Sequence, residues 1–203
     1  MAFDYWGFLL FSLAIQWTPG PNNIMLSYSG MNYGFRRTLP HLLGVITGVP
    51  LLMLSIGLSI HWVVQYLPEF QRYLLFASVA LLLWLAWRVA WTLPPSESGS
   101  DAKPFRFIEA FLYQVVNPKG WTMILTSIGL FVTATDSSRL EQLALLVTVS
   151  VFLTMASATT WVLGGMAIRR LLKTNFHFRL FNITAALTLV GCAVYVLASE
   201  MQI

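Results

Sequence analysis

Apolar residues come in long runs separated by short clusters of polar and basic residues, and six such runs stand out, at about 3–28, 39–61, 73–93, 107–133, 143–168 and 180–200. Each is long enough to cross a hydrocarbon core of about 30 Å. The pattern predicts an all-α membrane protein of six transmembrane helices. Two runs, the first and the fourth, carry breaks. In the first, Thr18-Pro19-Gly20-Pro21-Asn22-Asn23 sets two prolines around a glycine, so two backbone donors are missing and a helix ladder cannot run through. In the fourth, Asn117-Pro118-Lys119-Gly120-Trp121 makes a second break around a single proline. With flanks, each broken run reaches about 30 residues, and a straight helix of that length would rise about 45 Å, more than one crossing needs. Helix–break–helix is the economical reading. An unpaired backbone group in hydrocarbon costs several kcal/mol, so a break persists only where protein or a wet cavity repairs it.

The breaks occupy matching places in two halves. Residues 94–104, rich in Pro, Ser and Gly, form the one linker-like stretch and divide a single transmembrane domain (1–203) into halves 1–93 and 105–203. Three helices per half is odd, so similar halves insert in opposite senses, which is the inverted-repeat plan of many transporters. Interrupted helices at corresponding positions of such halves point to the binding site. Basic residues give the orientation: Arg36, Arg37, Arg88, Lys103, Arg106, Arg169, Arg170, Lys173 and Arg179 fall in or beside the odd loops, against Arg72 and Arg139 in the even ones. The odd loops, and with them the 94–104 linker, are therefore expected in the cytoplasm and both termini outside. The start, Met1 to Trp6, has no basic region and is expected to open the first membrane helix and not a signal peptide.

Composition sharpens the class. The chain is 57% hydrophobic and 10% charged, with a mean hydropathy of +0.71, whereas a soluble domain carries about a quarter charged residues. The net charge of +4 sits in the gaps between apolar runs and fits the positive-inside bias better than nucleic-acid binding. Cys192 is the only cysteine, which excludes an internal disulfide, a cysteine-held metal centre and a thiol relay. No His/Cys/Asp/Glu cluster has metal-ligand spacing, and no cofactor is implied.

The chemistry converges on the breaks. Asn117-Pro118 reads as N-cap and first helical residue of a half-helix, and Thr18-Pro19 or Gly20-Pro21 does the same in the first run. Half-helix N-termini offer free N–H groups and partial positive charge to a carboxylate. Asn22, Asn23 and Asn117 both donate and accept, so they can also meet an ammonium group. The bland alternative is a pair of proline kinks repaired by neighbours and water. Lys119 lies about twelve residues, or roughly 18 Å, into its run, near mid-membrane. A lysine there is a functional candidate, for carboxylate binding or proton release, with snorkelling to a wet vestibule as the alternative. Asp4 and Glu109 lie near run ends, and interfacial placement accounts for them as for His41, His61 and His177. Trp84, Trp87 and Trp91 share a helix face and read as an interfacial belt. Gly44 and Gly48, continued by Ser55 and Ser59, form a close-packing seam, as do Ser150, Ser157 and Gly164. Ser157, Thr160 and Trp161 are also candidates to face a cavity.

Pro19-Gly20-Pro21-Asn22-Asn23, Gly34-Phe35-Arg36, Gly44 with Gly48, and Asn117-Pro118-Lys119 together resemble the LysE/RhtB family of bacterial amino-acid exporters, over nearly the whole chain. The resemblance implies an inner-membrane exporter of amino acids driven by proton exchange. The Pro19–Asn23 form and the Val115-Val116-Asn117-Pro118-Lys119 run look most like branches handling neutral substrates such as homoserine, threonine, leucine or cysteine. The expected substrate-binding residues are Pro19, Gly20, Pro21, Asn22, Asn23, Asn117, Pro118, Lys119, Gly120 and Trp121. The expected partners are an amino acid, protons and lipid, with a homodimer compatible with the glycine seams. An acid/base enzyme embedded in the membrane needs coupled titratable groups at one depth, and the sequence offers a single deep charge. A non-transporting assembly subunit is the third reading.

Overall fold

The structure is a computed structural model describing residues 4–92, 104–132, 136–172 and 174–200. Apart from Pro104, the expected 94–104 linker lies outside these residues, as do Lys103 and Lys173. The described residues form only helices, connected by turns and short extended segments: α1 (Tyr5–Trp17), α2 (Pro21–Leu58), α3 (Ile60–Ala90), α4 (Phe107–Val116), α5 (Pro118–Phe131), α6 (Asp136–Leu171) and α7 (Asn175–Glu200). Asp4 caps α1 by accepting from Gly7 N at 2.9 Å. Inside α2, Gly34 has φ 75° and ψ 175°, a left-handed conformation that favours glycine, and it divides α2 into legs 21–33 and 35–58. Four segments are long and apolar enough to cross a membrane: Pro21–Leu58, Glu69–Ala90, Ser138–Leu171 and Asn175–Ala198. The chain is a multi-pass membrane protein. Its interrupted runs fold as α1 followed by the first leg of α2, and as α4 followed by α5.

Two apolar clusters hold these helices together. In one, Phe8, Leu26, Val45, Met53, Ile124 and Val162 join α1, both legs of α2, α5 and α6; in the other, Met25, Leu82, Val89, Phe105, Tyr113 and Leu189 join the first leg of α2 to α3, α4 and α7. Lipid tails are as apolar as leucine, so close backbone packing must supply what the hydrophobic effect cannot. Glycines allow it. A Cβ on Gly30 would run into the Val162 carbonyl on α6, and one on Gly165 into the Ser27 carbonyl on α2. Ser27 Oγ completes this seam by donating to the Trp161 carbonyl at 3.0 Å. Gly44 and Gly48 do the same for α4, facing Phe107 and Gln114. That seam follows the sequence expectation, whereas on α6 the contact falls on Gly165: a Cβ on Gly164 would meet nothing within 4 Å. Outward positions such as Phe76, Trp87, Phe152 and Leu187 are exposed and apolar, as a lipid-facing surface requires.

Candidate functional site

Each break exposes what a helix end must expose. α1 ends at Trp17 with its last carbonyls unpaired in the helix, and α2 restarts with Gly20 as N-cap and Pro21 at the first helical position. Of the two possible restarts, the chain uses Gly20-Pro21. α5 restarts directly from α4, with Asn117 as N-cap and Pro118 behind it. The orphan carbonyls find side chains. Asn23 Nδ2 donates to the carbonyls of Gln16 and Thr18, both at 2.9 Å, and Ser157 Oγ donates to Gln16 O at 2.9 Å. At the second break, Trp121 Nε1 donates to Val115 O at 2.6 Å and Ser78 Oγ donates to Val116 O. The two breaks also meet. Lys119 Nζ donates to Thr18 O at 2.7 Å, and its stem lies where a Cβ on residue 20 would sit.

Around this bridge lies a cavity of about 60 Å³ with polar and apolar lining. Gln16, Asn22, Asn23, Gln114, Asn117 and Lys119 supply most of its polar lining. Gln114 Nε2 donates to Asn22 Oδ1 at 3.3 Å and Asn117 Nδ2 donates to Gln114 Oε1 at 3.5 Å, so the amides form a chain across the halves. Asn117 is only 5% exposed, and its Oδ1 has no partner among the described residues. A buried unsatisfied acceptor costs about 1–3 kcal/mol, so this one awaits a donor. The remaining Lys119 protons and the free N–H groups at the start of α5 favour an anion. The cavity is thus lined by a cation and by amides that can accept, a combination that suits a small zwitterion. No acidic side chain of the described residues lines it.

Beyond Lys119 a second cavity, of about 810 Å³, lies between the first half of α3 (Gln71, Leu75), the end of α7 (Cys192, Tyr195) and α5 (Trp121, Leu125). The opposite ends of α3 and α7 are tied to each other and to α2. There Tyr28 hydrogen-bonds Thr92, Asn32 Nδ2 donates to Asn182 Oδ1 at 3.1 Å, and Asn182 Nδ2 donates to Thr92 O at 3.2 Å. Arg88 pairs with Glu109 at 3.2 Å and lies over the Phe105 ring at 4.3 Å. Glu109 also caps α4 from its third position by accepting from Arg106 N at 2.7 Å, which gives its expected position near a run end a structural job. His41, expected at the interface, is wholly buried here, with Nδ1 bonded to Ser29 Oγ at 2.9 Å.

All ten residues expected from sequence line one cavity or the other. Gly20, Pro21, Asn22, Asn23, Asn117, Lys119 and Gly120 face the small one, and Pro19, Pro118 and Trp121 the large one. Asn23 differs in its job, since its amide donates to α1 carbonyls. Sequence reasoning missed Gln16 and Gln114. Each is a single amide about one turn before its break, at matching places in the two halves, and that coincidence was the available signal. Ser157 faces the small cavity, and Thr160 instead donates to Ala156 O on the exposed side of α6. Replacing Ser157 with alanine removes one of two donors to Gln16 O; we expect a loss of about 1 kcal/mol, read as a small fall in thermal midpoint in detergent.

The chain is similar to the cysteine/O-acetylserine efflux proteins of Escherichia coli K12 and of Shigella flexneri serotype 5b, 36% identical over 191 residues, covering 92% of this chain and 94% of each relative. The protein of that name from Escherichia coli O1:K1 is 35% identical over the same length. No solved structure is significantly similar. The model of the LysE type translocator family matches residues 13–200, taking in both breaks and both cavities. The chain belongs to the LysE type translocator family.

Proposed function

We propose that the protein exports small neutral amino acids or their derivatives from the bacterial cytoplasm across the inner membrane, by alternating access at the paired breaks. The bridge from Lys119 to Thr18, together with the unpartnered Asn117 Oδ1, carries this reading. The substrate carboxylate replaces Thr18 O at the ammonium of Lys119 and takes the free N–H groups of α5, while the substrate ammonium donates to Asn117 Oδ1. Cysteine and O-acetylserine, named for the relatives, are the first substrates to try, with homoserine, threonine and leucine beside them. The lack of an acidic lining disfavours cationic amino acids.

In this reading the chain crosses six times: α1 with the first leg of α2, the second leg, α3, α4 with α5, α6, and α7. The halves are inverted repeats, and both termini face the periplasm. The end closed by Tyr28, Thr92, Asn32 and Asn182 is cytoplasmic, and the larger cavity is the outward vestibule. Rocking of the halves opens the closed end, and a proton moving inward drives the solute outward, with Lys119 the titratable group at the site.

Proteoliposomes loaded with labelled L-cysteine or O-acetyl-L-serine should release it faster when a proton gradient is imposed. Asn22→Ala should slow release by about 2- to 12-fold, the equivalent of one hydrogen bond. Gln114 Nε2 keeps its second acceptor, Ala110 O at 2.8 Å, so the fold should tolerate the change. Absence of flux for every neutral amino acid tried, with or without the gradient, would overturn the proposal.

A further inference from the structure

The two cavities share a wall made by Ile15, Gly20, Pro21 and Lys119. The smaller, at about 60 Å³, has room for about four to six water-sized atoms. An ammonium, an α-carbon and a carboxylate fill that space and leave none for a side chain. The larger has about 810 Å³ and is walled mainly by aliphatic and aromatic groups, among them Leu74, Leu75, Trp121, Leu125 and Val196. Among the described residues its only charged lining residue is Lys119, at the shared wall.

We propose that the larger cavity is a side-chain subsite, in which the head group held at Lys119 and Asn117 projects its side chain past Gly20, so that zwitterions with extended apolar side chains bind more tightly than cysteine. The proposal rests on the head-group site above and adds a specificity the relatives' names do not carry. Burial of one methylene is equivalent to about a fourfold gain in affinity. Gly191 on α7 sets the depth of the subsite: it lines the cavity, and a Cβ there meets nothing within 4 Å. The first atom of a side chain at this position is therefore free of helix packing, and a large side chain narrows the subsite.

The test is competition by S-methyl-, S-propyl- and S-pentyl-L-cysteine against labelled cysteine in proteoliposomes. In the unaltered protein, inhibition should strengthen by about fourfold per added methylene. In Gly191→Phe the series should flatten. A flat series in the unaltered protein, or a steep one in Gly191→Phe, overturns the subsite. A readout without substitution uses Cys192, which lines the same cavity and is half-buried. S-Pentylcysteine should slow its alkylation by a maleimide several-fold more than S-methylcysteine does, and equal protection by the two overturns the subsite. If cysteine is transported and the series is flat, the subsite alone fails. If no zwitterion is transported, competes or protects, the head-group site fails with it.

Discussion

Replacing Lys119 with methionine is expected to abolish export and leave the protein folded, with a thermal midpoint equal to or above that of the parent. The methionine stem can still lie against Gly20, where the lysine stem now lies. Thr18 O loses the ammonium donor but keeps Asn23 Nδ2 at 2.9 Å, so no carbonyl is orphaned. A charge deep in the membrane is costly to hold, and its removal relieves the fold. Binding loses a charge-assisted contact of about 1.5–3 kcal/mol, or about 10- to 150-fold in affinity. In the proposed mechanism proton exchange through this group is lost as well, which takes net flux to background. Scanning calorimetry and proteoliposome efflux on one preparation check both halves. A folded variant that transports at the parental rate removes Lys119 from the mechanism. This is the trade expected where function keeps a destabilising group in place.

The second large effect lies at neighbouring glycines. Gly165→Ala should destabilise the protein by about 1–3 kcal/mol or more, because its methyl group meets the Ser27 carbonyl, a backbone atom that cannot rotate away. Gly164→Ala should be neutral or stabilising by up to about 1 kcal/mol, since its methyl group enters open space and alanine is the better helix former. The change is chemically identical and the positions are adjacent, so only the direction of the Cβ separates them. Expression level and detergent melting of the two variants are the measurement. Similar behaviour of both would contradict the packing of α6 on the first leg of α2.

These cases mark what local pattern can and cannot convey. The breaks were legible because proline and asparagine inside an apolar run contradict their surroundings, and that contradiction needs no tertiary information. The N-cap at Asn117 followed from the same run. Partner choice was not legible. Tyr28 with Thr92, and Asn32 with Asn182, pair residues 64 and 150 positions apart, and each alone reads as an ordinary polar residue near a helix end. His41 looked interfacial for that reason, yet the turn at Gly34 brings it beside Ser29 and Phe105, in the interior. On α6, Ser150 and Ser157 are buried as the seam requires, but the glycine contact falls on Gly165 and not Gly164, because a small-residue spacing fixes a stripe only to within the rotation of the helix. Gln16 and Gln114 were passed over because a lone amide in an apolar helix carries no contradiction until its counterpart in the other half is set beside it.

The central claim is that the two breaks together grip one zwitterion. A structure of the protein with bound L-cysteine tests it most directly. The account predicts density between the breaks, with the carboxylate at Lys119 Nζ and the ammonium within hydrogen-bonding distance of Asn117 Oδ1. A solute seated elsewhere, with Lys119 still bonded to Thr18 O and the small cavity unchanged, would contradict it.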